Sequence, residues 1–363
     1  MSNQTEKLNQ IELGKRDLLR KEKPLVYEKI KRFKDKVKRG ESIAIIQFQY
    51  DYKCNFKCPH CSVKRFQGKK EGRYFTIEDV RELSRQADEM GLAHFVITGG
   101  EPLVFPDLDE LVEAIDPQKF YISLDTNGWL LDYDRAKHLK DIGVDKIQLS
   151  LDGILENGPE NLHGKGKSTN WALRALDASL KAGLNTIVQT VVTKQRVRSQ
   201  EFIDFLEFLN GKDVGVFITY AKPVGAWEGN FDVLVDRQDM DYVRGLEKKY
   251  NVFTHLTPSY GLDLGCIAVK RMVSITKYGD VMPCPYIHVS LGNFFEEPLK
   301  KIIEKGLNIK HFGTRVDTCL VAEDRDFINK YIAGRIYGKP LPVPYNEVFG
   351  KDDLLKEDLN DEA

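Results

Sequence analysis

A chain of 363 residues is longer than one ordinary domain and suits a large α/β domain with an appendage. With 42% apolar residues, 30% charged residues and a net charge of −1, it has a globular composition that gives no support for nucleic acid as the main partner. There is no basic-then-apolar signal pattern and no apolar run near the ~18 residues that span a bilayer, so the expected location is cytoplasmic, without a membrane partner.

Residues 1–40 are polar and rich in Lys and Glu. Leu13, Leu18, Leu19, Leu25, Ile30 and Phe33 keep a helical spacing, so one or two amphipathic helices are expected before Gly40. The basic cluster from Lys29 to Arg39 reads as a solvated helix face, with an anionic partner as the alternative. A regular alternation follows. Strands are expected at 43–49, 94–98, 120–124, 146–151, 186–192 and 214–220, with helices between them. The strands are almost continuously apolar, as in a parallel sheet covered by helices. Polar and glycine residues gather at their C-terminal ends, where such folds place their sites. Six strand–helix units imply an α/β fold of the partial (β/α)6 TIM-like barrel type. A helix is expected around Gln238–Tyr250, and the period then changes. Val273–Lys277 and Val281–Cys284 flank Tyr278-Gly279-Asp280, a hairpin signature, and helices are expected at 298–305 and 323–332. This predicts a small C-terminal α+β domain, hairpin plus helix, and a loose tail from Pro340 onward.

Chemistry concentrates in the cysteines. In a reducing compartment six thiols suggest metal ligation, and they fall as three plus three. Cys54, Cys58 and Cys61 sit on the loop after the first strand, in Cys54-Asn55-Phe56-Lys57-Cys58-Pro59-His60-Cys61. A structural zinc site wants four closed ligands, and His60 is poorly placed to be the fourth. A cubane with three protein ligands would instead leave one iron open. Zinc binding by a non-enzymatic α/β protein stays as a rival at this stage. The second strand closes in Thr98-Gly99-Gly100-Glu101-Pro102; the plain alternative is an ordinary strand-end turn. Later strand ends carry Ser123, Asp125, Asn127, Ser150, Asp152, Gln189 and Thr190, each of which could simply cap a strand or helix.

The three-cysteine loop followed by Gly99-Gly100-Glu101-Pro102 resembles the radical S-adenosylmethionine (radical SAM) superfamily. The resemblance implies a 4Fe-4S cluster on Cys54, Cys58 and Cys61, and S-adenosylmethionine held by Gly99, Gly100, Glu101, Asn127, Ser150 and Gln189. Such a cluster reductively cleaves S-adenosylmethionine to a 5′-deoxyadenosyl radical, which takes hydrogen from a substrate. By the same resemblance His60 lies where the family has an aromatic residue near the adenine, while Lys165 replaces a customary arginine. Cys266, Gly279, Cys284 and Cys319 resemble the auxiliary-cluster domains called SPASM and twitch, implying a second cluster; Ala322 stands where a further cysteine would fall. Three ordinary buried cysteines are the alternative.

The implied organisation is a helical extension over 1–40, a radical SAM partial barrel over 41–235, an auxiliary iron–sulfur domain over 236–335 and a tail over 336–363. The implied partners are a small-molecule or peptide substrate and an electron donor such as flavodoxin or ferredoxin. The short segment before the first strand argues against a long-leader peptide. Oxidation or bond formation is expected to follow hydrogen abstraction, a radical transferase or peptide maturase forming a C–C or C–S bond being the alternative. Lys222, Trp227, His255, Tyr260 and Tyr286 are candidates for the substrate side, and no catalytic residue is assigned.

Overall fold

The computed structural model describes residues 14, 16–67, 72–155 and 168–356. Six strands form the expected parallel series: β1 (Ile45–Asp51), β2 (His94–Gly99), β3 (Tyr121–Thr126), β4 (Lys146–Ser150), β5 (Asn185–Val192) and β6 (Gly215–Tyr220). The sheet does not stop there. A seventh parallel strand, β7 (Val252–Thr254), extends it beyond β6. At the other edge β8 (Met272–Thr276) pairs in parallel with β1, from Ile45↔Met272 to Gln49↔Thr276. The hairpin partner β9 (Val281–Met282) runs antiparallel to β8. The order is β7-β6-β5-β4-β3-β2-β1-β8-β9, an open sheet of nine strands. Sequence periodicity placed the hairpin in a separate unit; its first strand instead completes the edge that β1 would otherwise leave unpaired.

Helices cover the sheet for the reasons their sequences give. The helix Ile77–Glu89 starts at a capping box in which Thr76 and Asp79 satisfy each other's backbone N–H groups. Its Val80, Leu83 and Ala87 are fully buried, a stripe at helical spacing. Two short helices, Pro24–Lys31 and Phe33–Lys38, close the N-terminal end of the barrel. Val26 and Phe33 bury against Ile43 and Ala93. The basic cluster is only partly the solvated face expected of it. Lys29 donates to the Lys119 carbonyl at 2.8 Å and pairs with Asp88 at 2.8 Å, while its ammonium lies 3.9 Å over the Phe120 ring. Lys36 donates to the Met90 carbonyl. Long stems let these lysines bury carbon against the barrel while their charges meet carbonyls and carboxylates.

The expected loose tail is also corrected. β10 (Val289–Ser290) pairs in parallel with β11 (Val343–Pro344), and Val343, Val348 and Phe349 are buried. Three apolar side chains in a Pro-rich, acidic stretch supply enough burial to anchor it. Residues 357–363 of the expected tail, Leu13 and Lys165 lie outside the described residues.

Candidate functional site

The site begins where β1 ends. A register irregularity between Gln49 and Asp51 breaks the pairing with β2 and turns the chain into the cysteine loop. The loop is fastened to the end of β2: Gly100 N donates to the Asp51 carbonyl at 2.7 Å and Glu101 N to the Lys53 carbonyl at 2.9 Å. This close approach requires the glycines. A Cβ on Gly99, at φ +114, would fall 2.3 Å from the Asp51 oxygen, and one on Gly100 would fall 2.0 Å from that of Lys53. The N–H groups of Gly100 and Glu101 therefore hold the loop.

Glu101 is similarly engaged. Its carboxylate accepts from Thr126 Oγ1 at 2.6 Å, Asn127 N at 2.8 Å and Leu103 N at 3.1 Å, tying the ends of β2 and β3 together. Burial pushes the Glu101 carboxyl up to about 7 against three donors that favour its ionised form. Asn127 donates through Nδ2 to Asn55 Oδ1 at 2.8 Å, so β3 also grips the cysteine loop. The loop's Phe56 packs on Trp129 and Trp171, which stack with centroids 4.9 Å apart. From the far side, Gly225 after β6 approaches so closely that a Cβ there would sit 2.4 Å from the Cys61 oxygen. Ala226 N donates to that oxygen at 2.9 Å, and Trp227 packs on His60.

These contacts surround a cavity of about 210 Å³ at the C-terminal ends of the strands. Cys54, Cys58 and Cys61 line it together with Gly99, Gly100, Glu101, Asn127, Ser150 and Gln189. Every first-cluster and cofactor position expected from sequence thus faces one cleft. Lys222, Trp227 and Tyr286 line it as well. His255 and Tyr260 do not. Tyr260 packs on Phe33 and His94 in the cluster that closes the other end of the barrel. A tyrosine in a glycine-rich stretch gave no sequence signal of which end it would reach. Thr126 and Gly225 were missed as site-building residues, although Gly225 ends the loop of a site-bearing strand. Arg196 was missed too: it lies buried beside Asp152 and donates to Thr190 Oγ1 at 2.6 Å and the Val191 carbonyl at 2.8 Å.

The donor set fits an iron–sulfur cluster. Burial pushes the Cys61 thiol up to about 11 and raises that of Cys54 as well, so both are protonated until a metal displaces the proton. Asn55 Nδ2 is buried beside them without an acceptor among the described residues, a donor suited to a cluster sulfur. The late cysteines form a second group outside the cavity. Cys266 and Cys319 are buried, and the charges of Cys266, Cys284 and Cys319 act on one another. Burial pushes Cys284 up to about 12 and Cys319 up to about 11. Beside them Glu323 accepts from Cys319 N at 3.2 Å and Arg237 at 3.1 Å, and Asp324 caps a helix through Phe327 N at 2.9 Å.

The family model of the Radical SAM superfamily matches residues 51–209, and that of an iron–sulfur cluster-binding domain, SPASM, matches residues 266–338. GTP 3′,8-cyclase of Nautilia profundicola is 32% identical over 268 residues, 69% of this chain and 82% of that protein. Streptococcus suis SuiB bound to precursor peptide SuiA superposes with a TM-score of 0.58 at 19% identity, covering 75% of this chain and 68% of SuiB. Native anSMEcpe with bound AdoMet gives 0.54 at 20% identity, covering 72% and 80%. At these identities the two structures bear on fold alone. No helix among the described residues is long and apolar enough to cross a membrane.

Proposed function

Because the chain belongs to the radical SAM superfamily, with S-adenosylmethionine and 4Fe-4S clusters as its cofactors, we propose that it is a two-cluster enzyme that removes hydrogen from a substrate in the described cavity and completes the reaction by oxidation or bond formation. When bound, the first cluster supplies the electron that cleaves S-adenosylmethionine and so generates the hydrogen-abstracting radical. Cys54, Cys58 and Cys61 would hold that cluster, and Cys266, Cys284 and Cys319 the second. Gly99, Gly100 and Glu101 fix the loop that carries the first three thiols. Ser150, Gln189 and Asn127 border the space for S-adenosylmethionine, and Trp227 on His60 narrows the mouth against water.

The observation that carries the two-cluster reading is a shared wall. Lys222 and Tyr286 line the cavity of the first thiol set, and both bear electrostatically on Cys284 and Cys319 of the second. A small-molecule substrate is the leading choice, since the relative at 32% identity is named for a reaction of GTP. A peptide remains the second reading because SuiB, alike in fold, was captured with its precursor peptide.

Two measurements test the proposal. Iron and sulfide after anaerobic purification should be about eight per chain, falling to about four in Cys54→Ala/Cys58→Ala/Cys61→Ala, by the stoichiometry of two such clusters. Reduced enzyme with S-adenosylmethionine should release 5′-deoxyadenosine, and with GTP as the first substrate tried, product mass separates the outcomes. Loss of two hydrogens marks oxidation; unchanged mass marks cyclisation. Iron-loaded protein that releases no 5′-deoxyadenosine under reduction would refute the activity.

A further inference from the structure

Lys222 stands in an unusual position for a lysine. It follows β6 by two residues, is 7% exposed, and donates from Nζ to the Tyr220 carbonyl at 2.6 Å. The same ammonium lies 4.0 Å over the Tyr286 ring. Among the described residues no carboxylate pairs with it. The carboxylates bordering the cavity have other partners: Glu101 has Thr126 and Asn127, Asp125 has Gln148, and Asp152 has Thr190. One carbonyl and one ring face are weak compensation for a buried cation, which ordinarily requires a counter-charge. Burial holds the Lys222 ammonium below its usual pKa, and the groups that act in the opposite sense, favouring its charge, are Cys319, Cys284 and Cys266.

We propose that Lys222 is the counter-ion of the second thiolate set and a positioning residue that raises the reduction potential of the cluster held there, equipping that cluster to accept an electron from the substrate side. The inference rests on the reading that Cys266, Cys284 and Cys319 hold a cluster. The physical reason is charge. Adding an electron to a thiolate-ligated cluster adds negative charge in a poorly hydrated place, and a fixed cation beside it stabilises the reduced form. The lysine also lines the cavity of the first thiol set, and the ring its ammonium lies over, Tyr286, is two residues from Cys284. Arginine in its place would keep the charge; methionine would keep much of the shape and remove it.

The test uses full-length protein in the Cys54→Ala/Cys58→Ala/Cys61→Ala background, where only the second cluster contributes. Iron content is measured first, then the midpoint potential by a dye-mediated titration followed by electron paramagnetic resonance. Lys222→Met should shift the midpoint to more negative potential, and Lys222→Arg should bring it back toward that of Lys222. Loss of iron in the Met variant with retention in the Arg variant would equally support the counter-ion role. Iron present at an unmoved potential in Lys222→Met would overturn the proposal while leaving the second cluster intact. Loss of iron from both variants would also overturn it, because packing rather than charge would then be what the position supplies. No iron in the parent background would sink the second-cluster reading and the role of Lys222 with it.

Discussion

Gly225→Ala should dislodge the first cluster while sparing the second. Gly225 has a φ of +64, so any side chain there incurs the left-handed penalty, about 1–2 kcal/mol. The new Cβ would also meet the Cys61 oxygen at 2.4 Å and the Ser62 oxygen at 2.5 Å, both backbone atoms that no rotamer change can move. A carbon–oxygen contact relaxes at about 3.3 Å, so the loop must retreat by roughly 1 Å. That retreat strains the 2.9 Å bond from Ala226 N to the Cys61 carbonyl, whose loss costs about 1 kcal/mol. The total is about 2–3 kcal/mol, delivered at the peptide of Cys61, a proposed cluster ligand. Gly229→Ala is the matched control, with φ +79 and no atom within 4 Å of its Cβ. Iron and sulfide per chain and urea midpoints would be compared for the two variants. Gly225→Ala should lose about half the iron and more stability than Gly229→Ala. Equal iron and equal midpoints in the two would refute the argument, since only the collision with the cysteine loop distinguishes them.

Other consequences are testable with the same preparations. His94 is buried at the closed end of the barrel, and burial holds its ring at about 3, well below the usual histidine value. A base depressed in this way gives stability that is present above pH 6.5 and lost as pH falls toward 3, so between pH 7.5 and 5.5 wild type should lose about 1.4 kcal/mol more than His94→Phe in urea unfolding. An equal loss would remove His94 as the cause. Glu101→Gln replaces one carboxylate oxygen by an NH2, set against either the Asn127 N donor or the Thr126 and Leu103 donors, which should cost about 1–3 kcal/mol and slow 5′-deoxyadenosine release. It should also abolish a term of opposite sign: a carboxyl raised to about 7 gives stability present below pH 4.5 and lost as pH rises through 7. A chain ended after Tyr250 lacks β8 and leaves β1 as a bare edge, so it should aggregate and hold little iron. A soluble truncated protein with four irons would show that the barrel needs no such cover.

The strands, the cysteine loop and the mouth residues were legible because each rests on local pattern. Continuous apolar runs mark parallel strands, and strand-end polar residues converge through the geometry of the sheet, whatever their individual partners. What the pattern could not carry was pairing at long sequence separation. Nothing in Met272–Thr276 says that its neighbour is Ile45–Gln49, more than two hundred residues earlier. Nor does the Gly99-Gly100-Glu101 motif say that its N–H groups are taken by Asp51 and Lys53. In the fold its glycines are needed because another stretch of backbone lies against them. Lys29 and Lys36 were misread for a related reason: charge pattern records the sign of a side chain, not the length of stem that lets it lie against a barrel.

The two thiol sets share a mount, and this constrains how they can work together. β1 runs into the loop of Cys54, and its neighbour β8 runs through the hairpin into Cys284. Gln49 Nε2 donates to Ser274 Oγ at 2.9 Å, and Lys277 pairs with Asp51 at 2.9 Å, fixing the two strands at the root of both loops. Above that root Tyr52, Val63 and Phe66 from the cysteine loop bury against Tyr278 and Met282 from the hairpin. A hinge between independent modules would let the separation of the two sites vary. A ladder of hydrogen bonds capped by a packed apolar cluster does not, because sliding the strands by one residue would turn every side chain to the opposite face. The placement of Cys284 relative to the cysteine loop is therefore set by sheet register. That rigidity suits the proposed two-cluster reaction, in which a radical made at one site would be resolved at the other.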